Sequence, residues 1–330
     1  MASIRWTRGR TIGRGAEGIV SLATTEENFS VDIPSTIAVK SSLFSRSKSL
    51  QKEREFLNEF QDCSQVIRCF GADVTEEDGN ILYNILLEYA IGGSLADRIG
   101  KNSGRGFPEF EVKKYSKSIL LGLSVVHGRG FVHRDIKPHN VLLVGTEKTA
   151  KIADFGFANK VGIESQKRKL RGTPMYMAPE SVLDAEYGTA ADIWAFGCTV
   201  FEMITGKKVW DCTGIDDTVH LLCKIGMQSP DLHDEKLSKE AEDFLKKCLA
   251  RDLRSRWTAD MLLNHPFLSL DNAVHQERKR KILNPFLVTT IIDPVIDDFC
   301  NSTELKPMKL LNCRTNKRRR KLVEGCYVDY

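Results

Sequence analysis

What most limits the fold of this chain is a change of hydrophobic period part-way along it. Through the first hundred residues, apolar positions come in short β-type runs separated by turns, at residues 11–24, 36–40 and 80–89. That pattern predicts an antiparallel sheet. One helix interrupts it, beginning near Ser47 or Ser49, because Leu50, Glu53, Leu57 and Phe60 fall on a single stripe at helical spacing. From Glu111 onward the period is helical: Val112, Tyr115, Ser116, Ile119, Leu123 and Val126 share one face, and Ile193, Phe196, Val200 and Ile204 another. Strands first and helices later predict an α+β fold, with its boundary near the Gly92, Gly93 pair.

Beyond Leu268 the periodicity fades, and this is also where the charge becomes uneven. Residues 1–268 hold 36 Lys and Arg against 36 Asp and Glu, whereas residues 269–330 hold 12 against 8, so the net charge of +4 belongs to the tail. A neutral body argues against a broad polyanion-binding surface and leaves the tail as the place for such contacts. Nine cysteines without a C-x-x-C pair match neither a disulfide framework nor a zinc ligand set. No apolar run approaches the roughly 18 residues of a membrane span, so the expectation is a chain with no membrane segment.

Gly13, Gly15 and Gly18 form G-x-G-x-x-G, spanning Ile12, Gly13, Arg14, Gly15, Ala16, Glu17, Gly18, Ile19 and Val20. A dinucleotide fold needs a helix directly after the glycines, but here the chain continues as strand through Ser21, Leu22 and Ala23. A hairpin folded over phosphates fits better, because glycines let the backbone approach a triphosphate closely. Lys40 ends the apolar run Ile37, Ala38, Val39 and can hold phosphate oxygens if a carboxylate fixes it. Of Glu53, Glu55 and Glu59, only Glu53 lies on the core-facing stripe, so it is the expected partner.

Further on stand His133, Arg134, Asp135, Ile136, Lys137, Pro138, His139 and Asn140, then Asp154-Phe155-Gly156 and Ala178-Pro179-Glu180. In this order after the glycines and Lys40, the set resembles the signature of eukaryotic protein kinases over about residues 6–268. The resemblance implies a two-lobed fold, an N-lobe of about residues 6–90 and a C-lobe of about 91–268, followed by a basic extension, 269–330. It implies ATP and Mg²⁺ as cofactors, with Asp154 and Asn140 as metal ligands. Asp135 would orient the substrate hydroxyl and take its proton, a role worth roughly 10²- to 10⁴-fold in rate. Lys137 would neutralise the transferring phosphoryl group. The backbone of Glu88 and Ala90 would hold adenine, with Leu87 limiting the pocket and Ala38 and Val20 covering the base. The Lys-Pro-x-Asn sequence after Asp135, together with Thr173, resembles serine/threonine kinases rather than tyrosine kinases. A kinase-fold scaffold that signals by binding alone is the alternative, although no charged position is missing.

Arg134, directly before Asp135, implies pairing with a phosphate on the segment between Asp154 and Glu180, and Ser165 or Thr173 is the expected phosphosite. Trp6 ahead of the glycines, the run from Gly172 to Glu180, and Asp192-Ile193-Trp194 resemble plant mitogen-activated protein (MAP) kinase kinase kinases of the MEKK-like group. That implies MAP kinase kinases as substrates. The run Lys317, Arg318, Arg319, Arg320, Lys321 lacks interleaved aromatics for stacking on bases. It reads as a nuclear import or docking segment on an otherwise cytoplasmic protein, not as a nucleic-acid site.

Overall fold

A computed structural model describes residues 4–15, 18–26, 33–162, 170–210 and 218–269. The chain divides into two units, 1–272 and 273–330, and the second lies wholly outside the described residues. Ala16, Glu17, Ser165 and the basic run at 317–321 also lie outside them.

The first unit begins with strands β1 (Trp6–Gly15), β2 (Gly18–Thr25) and β3 (Thr36–Leu43), then helix α1 (Lys48–Glu59), then β4 (Cys69–Glu77) and β5 (Asn80–Glu88). The five strands form one antiparallel sheet in the order β1-β2-β3-β5-β4. Period-2 alternation gives the sheet two working faces. On one, Ala38, Tyr83, Ile85 and Leu87 pack with Leu50 and Leu57 of α1. The other buries Ala23, Ile37, Val39 and Leu86 under Ile4, Trp6 and Phe70. Arg8 reaches across this second face to Glu77 (2.8 Å), Asn84 (2.9 Å) and Ser41 (2.9 Å), tying the start of β1 to β3, β5 and β4. Helix α1 stops one residue short of the predicted stripe, and Phe60 caps it while remaining buried. Strand β4 was not apparent from the sequence because only its first residue, Cys69, is fully buried and its alternation is weak.

The helical half comprises α2 (Leu95–Lys101), α3 (Glu109–Gly128), α4 (Pro179–Leu183), α5 (Thr189–Thr205), α6 (Thr218–Met227), α7 (Lys239–Cys248) and α8 (Ala259–Leu263). Four short strands lie between α3 and α4: β6 (Phe131–Val132), β7 (Val141–Val144), β8 (Thr149–Ile152) and β9 (Asn159–Lys160). They pair as β6 with β9 and β7 with β8, and the β7–β8 pair sets the catalytic segments side by side. All six predicted core positions of α3 are buried. Helix α5 is buried around nearly its whole circumference, so it serves as the central post of this half. It ends at Gly206, whose φ of +75° and close approach to the Gly104 backbone leave no room for a Cβ.

Short backbone bridges join the two halves. Ile67 N–H donates to Ile152 O (2.9 Å) and Ile152 N–H to Gln65 O (2.8 Å). Gly92 N–H donates to Leu143 O and Leu143 N–H to Gly93 O, both at 2.9 Å. The glycine pair at the predicted boundary is therefore bonded directly to strand β7. No helix among the described residues is long and apolar enough to cross a membrane.

Candidate active site

The glycine segment is a hairpin, as the strand residues on both sides of it require. Gly13 pairs with Val20, and Gly15 with Gly18. Gly18 has a φ of +149°, and a Cβ there would lie 2.2 Å from Ser41 O, so no other residue fits without moving β3. Val20 pairs with Lys40 and Leu22 with Ala38, which places the lysine under the hairpin.

Lys40 Nζ donates to Glu53 Oε2 at 2.7 Å and to Asp154 Oδ1 at 3.0 Å. Glu53 is buried and Asp154 half-exposed, so the ammonium bridges an interior carboxylate and one facing the cleft. Burial alone would raise the Asp154 pKa, but the charge and hydrogen bond of Lys40 outweigh it and hold the carboxyl below its ordinary range. Asp154 is ionised at neutral pH.

Asp135 is buried and fully engaged. Its Oδ1 accepts from Thr173 N (2.9 Å) and Thr173 Oγ1 (2.8 Å). Its Oδ2 accepts from Asn140 Nδ2 (3.0 Å) and Lys137 Nζ (2.7 Å). Lys137 also donates to Thr173 Oγ1 at 2.7 Å, closing a ring of three side chains. Asn140 commits its amide nitrogen to Asp135 O (2.8 Å) and Oδ2, which leaves its carbonyl oxygen as a ligand atom. One carboxylate, Asp154, and one amide oxygen, Asn140, form a hard-oxygen donor set suited to Mg²⁺ completed by phosphate oxygens.

Hydrogen bonds and ring contacts around these groups supply the framework. Asp192, buried at the start of α5, accepts from His133 N and Arg134 N, both at 2.8 Å, and from His127 Nε2 at 2.9 Å. It thereby holds the loop at Arg134, whose φ is +71°. His133 Nε2 lies 3.0 Å from Ala153 O, and its ring meets Phe155 edge-on with centroids 4.7 Å apart. Phe155 lies 5.5 Å from Phe60 at the end of α1. The aromatic column therefore runs from α1 through the Asp154 segment to the Asp135 loop. Arg134 stacks 5.2 Å over Tyr187, and Tyr187 Oη accepts from Arg171 N at 2.7 Å. Glu180 is held by Arg256 through two hydrogen bonds of 2.6 and 3.1 Å. Glu88 directs its side chain to Lys151 (2.7 and 3.0 Å) and its N–H to Arg68 O, so only its carbonyl remains for a ligand.

The protein kinase domain family matches residues 6–268. The chain belongs to the protein kinase family. Among its relatives, Arabidopsis thaliana mitogen-activated protein kinase kinase kinase 20 is 47% identical over 274 residues, covering 81% of this chain and 79% of the relative. Mitogen-activated protein kinase kinase kinase 18 of the same plant is 43% identical over 273 residues, 80% and 78% of the two chains. A human protein, mitogen-activated protein kinase kinase kinase 4, is 34% identical over 280 residues, covering 81% of this chain and 16% of the relative. This kinase is a Ser/Thr protein kinase that uses ATP and Mg²⁺ and acts on protein substrates.

Proposed function

We propose that this kinase is a MAP kinase kinase kinase whose substrates are MAP kinase kinases, phosphorylated on Ser or Thr. The observation that carries the chemistry is the ring of Asp135, Lys137 and Thr173 facing the Lys40, Glu53, Asp154 bridge. The substrate assignment is supported by the relatives, which include two plant proteins of that name.

Phosphoryl transfer needs positioning and neutralisation of charge more than covalent help from the protein. Mg²⁺, when bound through Asp154 and Asn140, supplies neutralisation of phosphate charge. Lys40, fixed by Glu53, holds phosphate oxygens under the glycine hairpin. The Glu88 carbonyl and Ala90 N–H hold the adenine edge, with Ala38 and Val20 against its face and Leu87 behind. Asp135 would take the hydroxyl proton as the substrate oxygen attacks the γ-phosphorus, the bond to the β,γ-bridging oxygen breaks and ADP leaves. Lys137 already lies 2.7 Å from that carboxylate and turns its remaining charge to the incoming phosphoryl oxygens. A kinase fold that only binds would need a gap in this charged set, and each member stands in bonding geometry.

Phosphate on Thr173 would set two negative charges against Asp135, so of the two expected phosphosites we assign Ser165, which lies outside the described residues. A Ser165→Ala protein as active as the phosphorylated wild type would remove that assignment. We place the lobes at about residues 6–90 and 91–268, with the basic extension, 269–330, as a docking or nuclear import segment on a cytoplasmic enzyme. An unchanged distribution after residues 317–321 are replaced by alanine would argue against import. The central test is transfer of γ-phosphate from ATP to a panel of kinase-inactive MAP kinase kinases, with Asp135→Asn as control. Transfer to generic substrates but to no member of the panel would overturn the substrate assignment and leave the enzyme class standing.

A further inference from the structure

Beside the Asp135 loop lies a second cluster of charged groups that phosphoryl transfer does not use. Glu202, on α5, has a side chain only 7% exposed. Its Oε2 accepts from Tyr176 Oη at 2.7 Å, and its Oε1 accepts from Lys208 Nζ at 2.6 Å. Lys208 also donates to Tyr176 Oη, and its ammonium sits 5.0 Å over the Tyr176 ring. Unlike Glu202, Lys208 is 39% exposed, so it forms a cationic lid between the buried carboxylate and solvent. Tyr176 belongs to the segment that begins at Thr173, the residue bonded to Asp135, so the lid stands next to the place where a substrate hydroxyl must arrive. His139, on the Asp135 loop, is disfavoured as a cation first by partial desolvation of its ring and then by the charges of Lys208 and Lys137. Asp97, whose charge opposes that shift of His139, is committed to capping α2 through Ser94.

A buried carboxylate beside a peptide-binding groove would ordinarily attract a substrate arginine or lysine. Here that carboxylate is already occupied from within the chain. We infer that Lys208 is a specificity-determining residue, which keeps Glu202 from pairing with a basic substrate side chain and so directs this kinase to acceptor sites whose residue over Tyr176 is neutral or acidic. A cationic side chain arriving there finds Glu202 already paired and meets the ammonium group of Lys208. A neutral or acidic one meets the remaining N–H of Lys208. The inference rests on the kinase activity above and narrows the class of substrate. It uses exclusion as much as attraction, as specificity between similar partners commonly does.

The test uses the full chain and a set of serine peptides identical except that Arg, Ala or Glu is placed at each position flanking the serine in turn. The quantity read is the ratio of kcat/KM for the Arg peptide to that for the Ala peptide. The wild type is expected to give a ratio below one at one or more positions. Lys208→Met keeps the aliphatic cover on Tyr176 but frees Glu202, and should raise the ratio at that position roughly tenfold, the worth of one charge-assisted hydrogen bond. The double variant Lys208→Met with Glu202→Gln should lose that gain, and Lys208→Arg should keep the wild-type ratio. Were Lys208→Met to fail to fold, Glu202→Gln alone serves, because it leaves the lysine unneutralised and should lower the ratio further. A merely structural role for Lys208 would change turnover of all peptides together and leave the ratios alone, and that result overturns the proposal. A gain that persists in the double variant also overturns it. A wild-type chain that is folded but transfers phosphate to no peptide would instead count against the kinase activity itself.

Discussion

Replacing Asp192 by Asn should damage both stability and turnover, and the size of each effect follows from three hydrogen bonds. The carboxylate takes N–H donors on both oxygens, from Arg134 on Oδ1 and from His133 and His127 on Oδ2. An asparagine amide has one oxygen, so in either orientation its NH₂ faces a backbone N–H, and at least one buried donor is left without an acceptor. An orphaned buried donor costs about 1–3 kcal/mol, and each bond that loses its charge costs about 1 kcal/mol more. The sum is about 3–6 kcal/mol, or a melting temperature lower by at least about 6 °C for a domain of this size. Arg134 is also released from its tether at positive φ. Asp135, the next residue, then shifts, and a displacement near 1 Å at a reacting group costs about 10²-fold in rate. Expected in steady-state assays is therefore a kcat reduced about 10²-fold with the KM for ATP nearly unchanged, because Lys40 and Glu53 are anchored elsewhere. Burial pushes the Asp192 carboxyl up, but the hydrogen bond and charge of His127, with those of His133, bring it below its ordinary range. Its stabilisation is thus complete above the unfolded pKa near 3.9 and fades only as pH falls through the lower folded value. The wild type should lose stability below about pH 4 by a step that the variant lacks. Unfolding within about 1 kcal/mol of wild type, together with kcat within a factor of three, would refute this account.

Lys40→Met should reduce kcat/KM by about 10²-fold or more, measured as γ-phosphate transfer, while Glu53→Gln, which keeps a hydrogen-bond acceptor for the lysine, should lose less. Gly18→Ala forces a Cβ into Ser41 O, so the KM for ATP should rise, and an unchanged KM would show that the hairpin yields without effect on the nucleotide. Arg256→Met strands the Glu180 carboxylate and removes two further bonds, to Ala190 O and Ala250 O. The expected loss is about 3–5 kcal/mol by denaturant unfolding, with much of it restored when Glu180→Gln is added.

How much of this was legible in the sequence depended on whether a residue's partner lies close in the chain or shares a periodic stripe. Glu53 stood out from Glu55 and Glu59 because it interrupts an apolar face, and in the structure it is the one of the three within hydrogen-bond reach of Lys40. The hairpin at Gly13 to Gly18 and the buried face of α3 were readable for the same reason. Glu202 sits in a helix so apolar that its neighbours give no sign of its role, and its partners are 26 residues before and 6 after it in sequence. Arg256 and Glu180 are 76 residues apart. Arg8 was equally silent, because its partners on β3, β5 and β4 become neighbours only when the sheet assembles.

The neutral balance of residues 1–268 now has a structural cause. Lys40, Lys137, Lys151, Lys208, Arg8 and Arg256 each bond a carboxylate of the same domain. Such pairs contribute little net stability against apolar alternatives of the same shape, since removing two charges from water offsets most of their attraction. What they do supply is position. Lys40 aligns Asp154 with the hairpin, Lys137 aligns Asp135 with Thr173, and Lys208 closes Glu202 to the substrate. Four of these six pairs join segments more than ten residues apart, so each of those four fixes the relative placement of two chain segments that hydrophobic burial alone would leave free to slide. A transition state stabilised mainly by fixed charge needs that placement, because a dipole or ion that must reorganise during the reaction returns part of its benefit. Substituting one such pair by apolar residues should therefore lower turnover more than it lowers the melting temperature, and the Lys137 and Lys40 pairs should show the largest difference between the two.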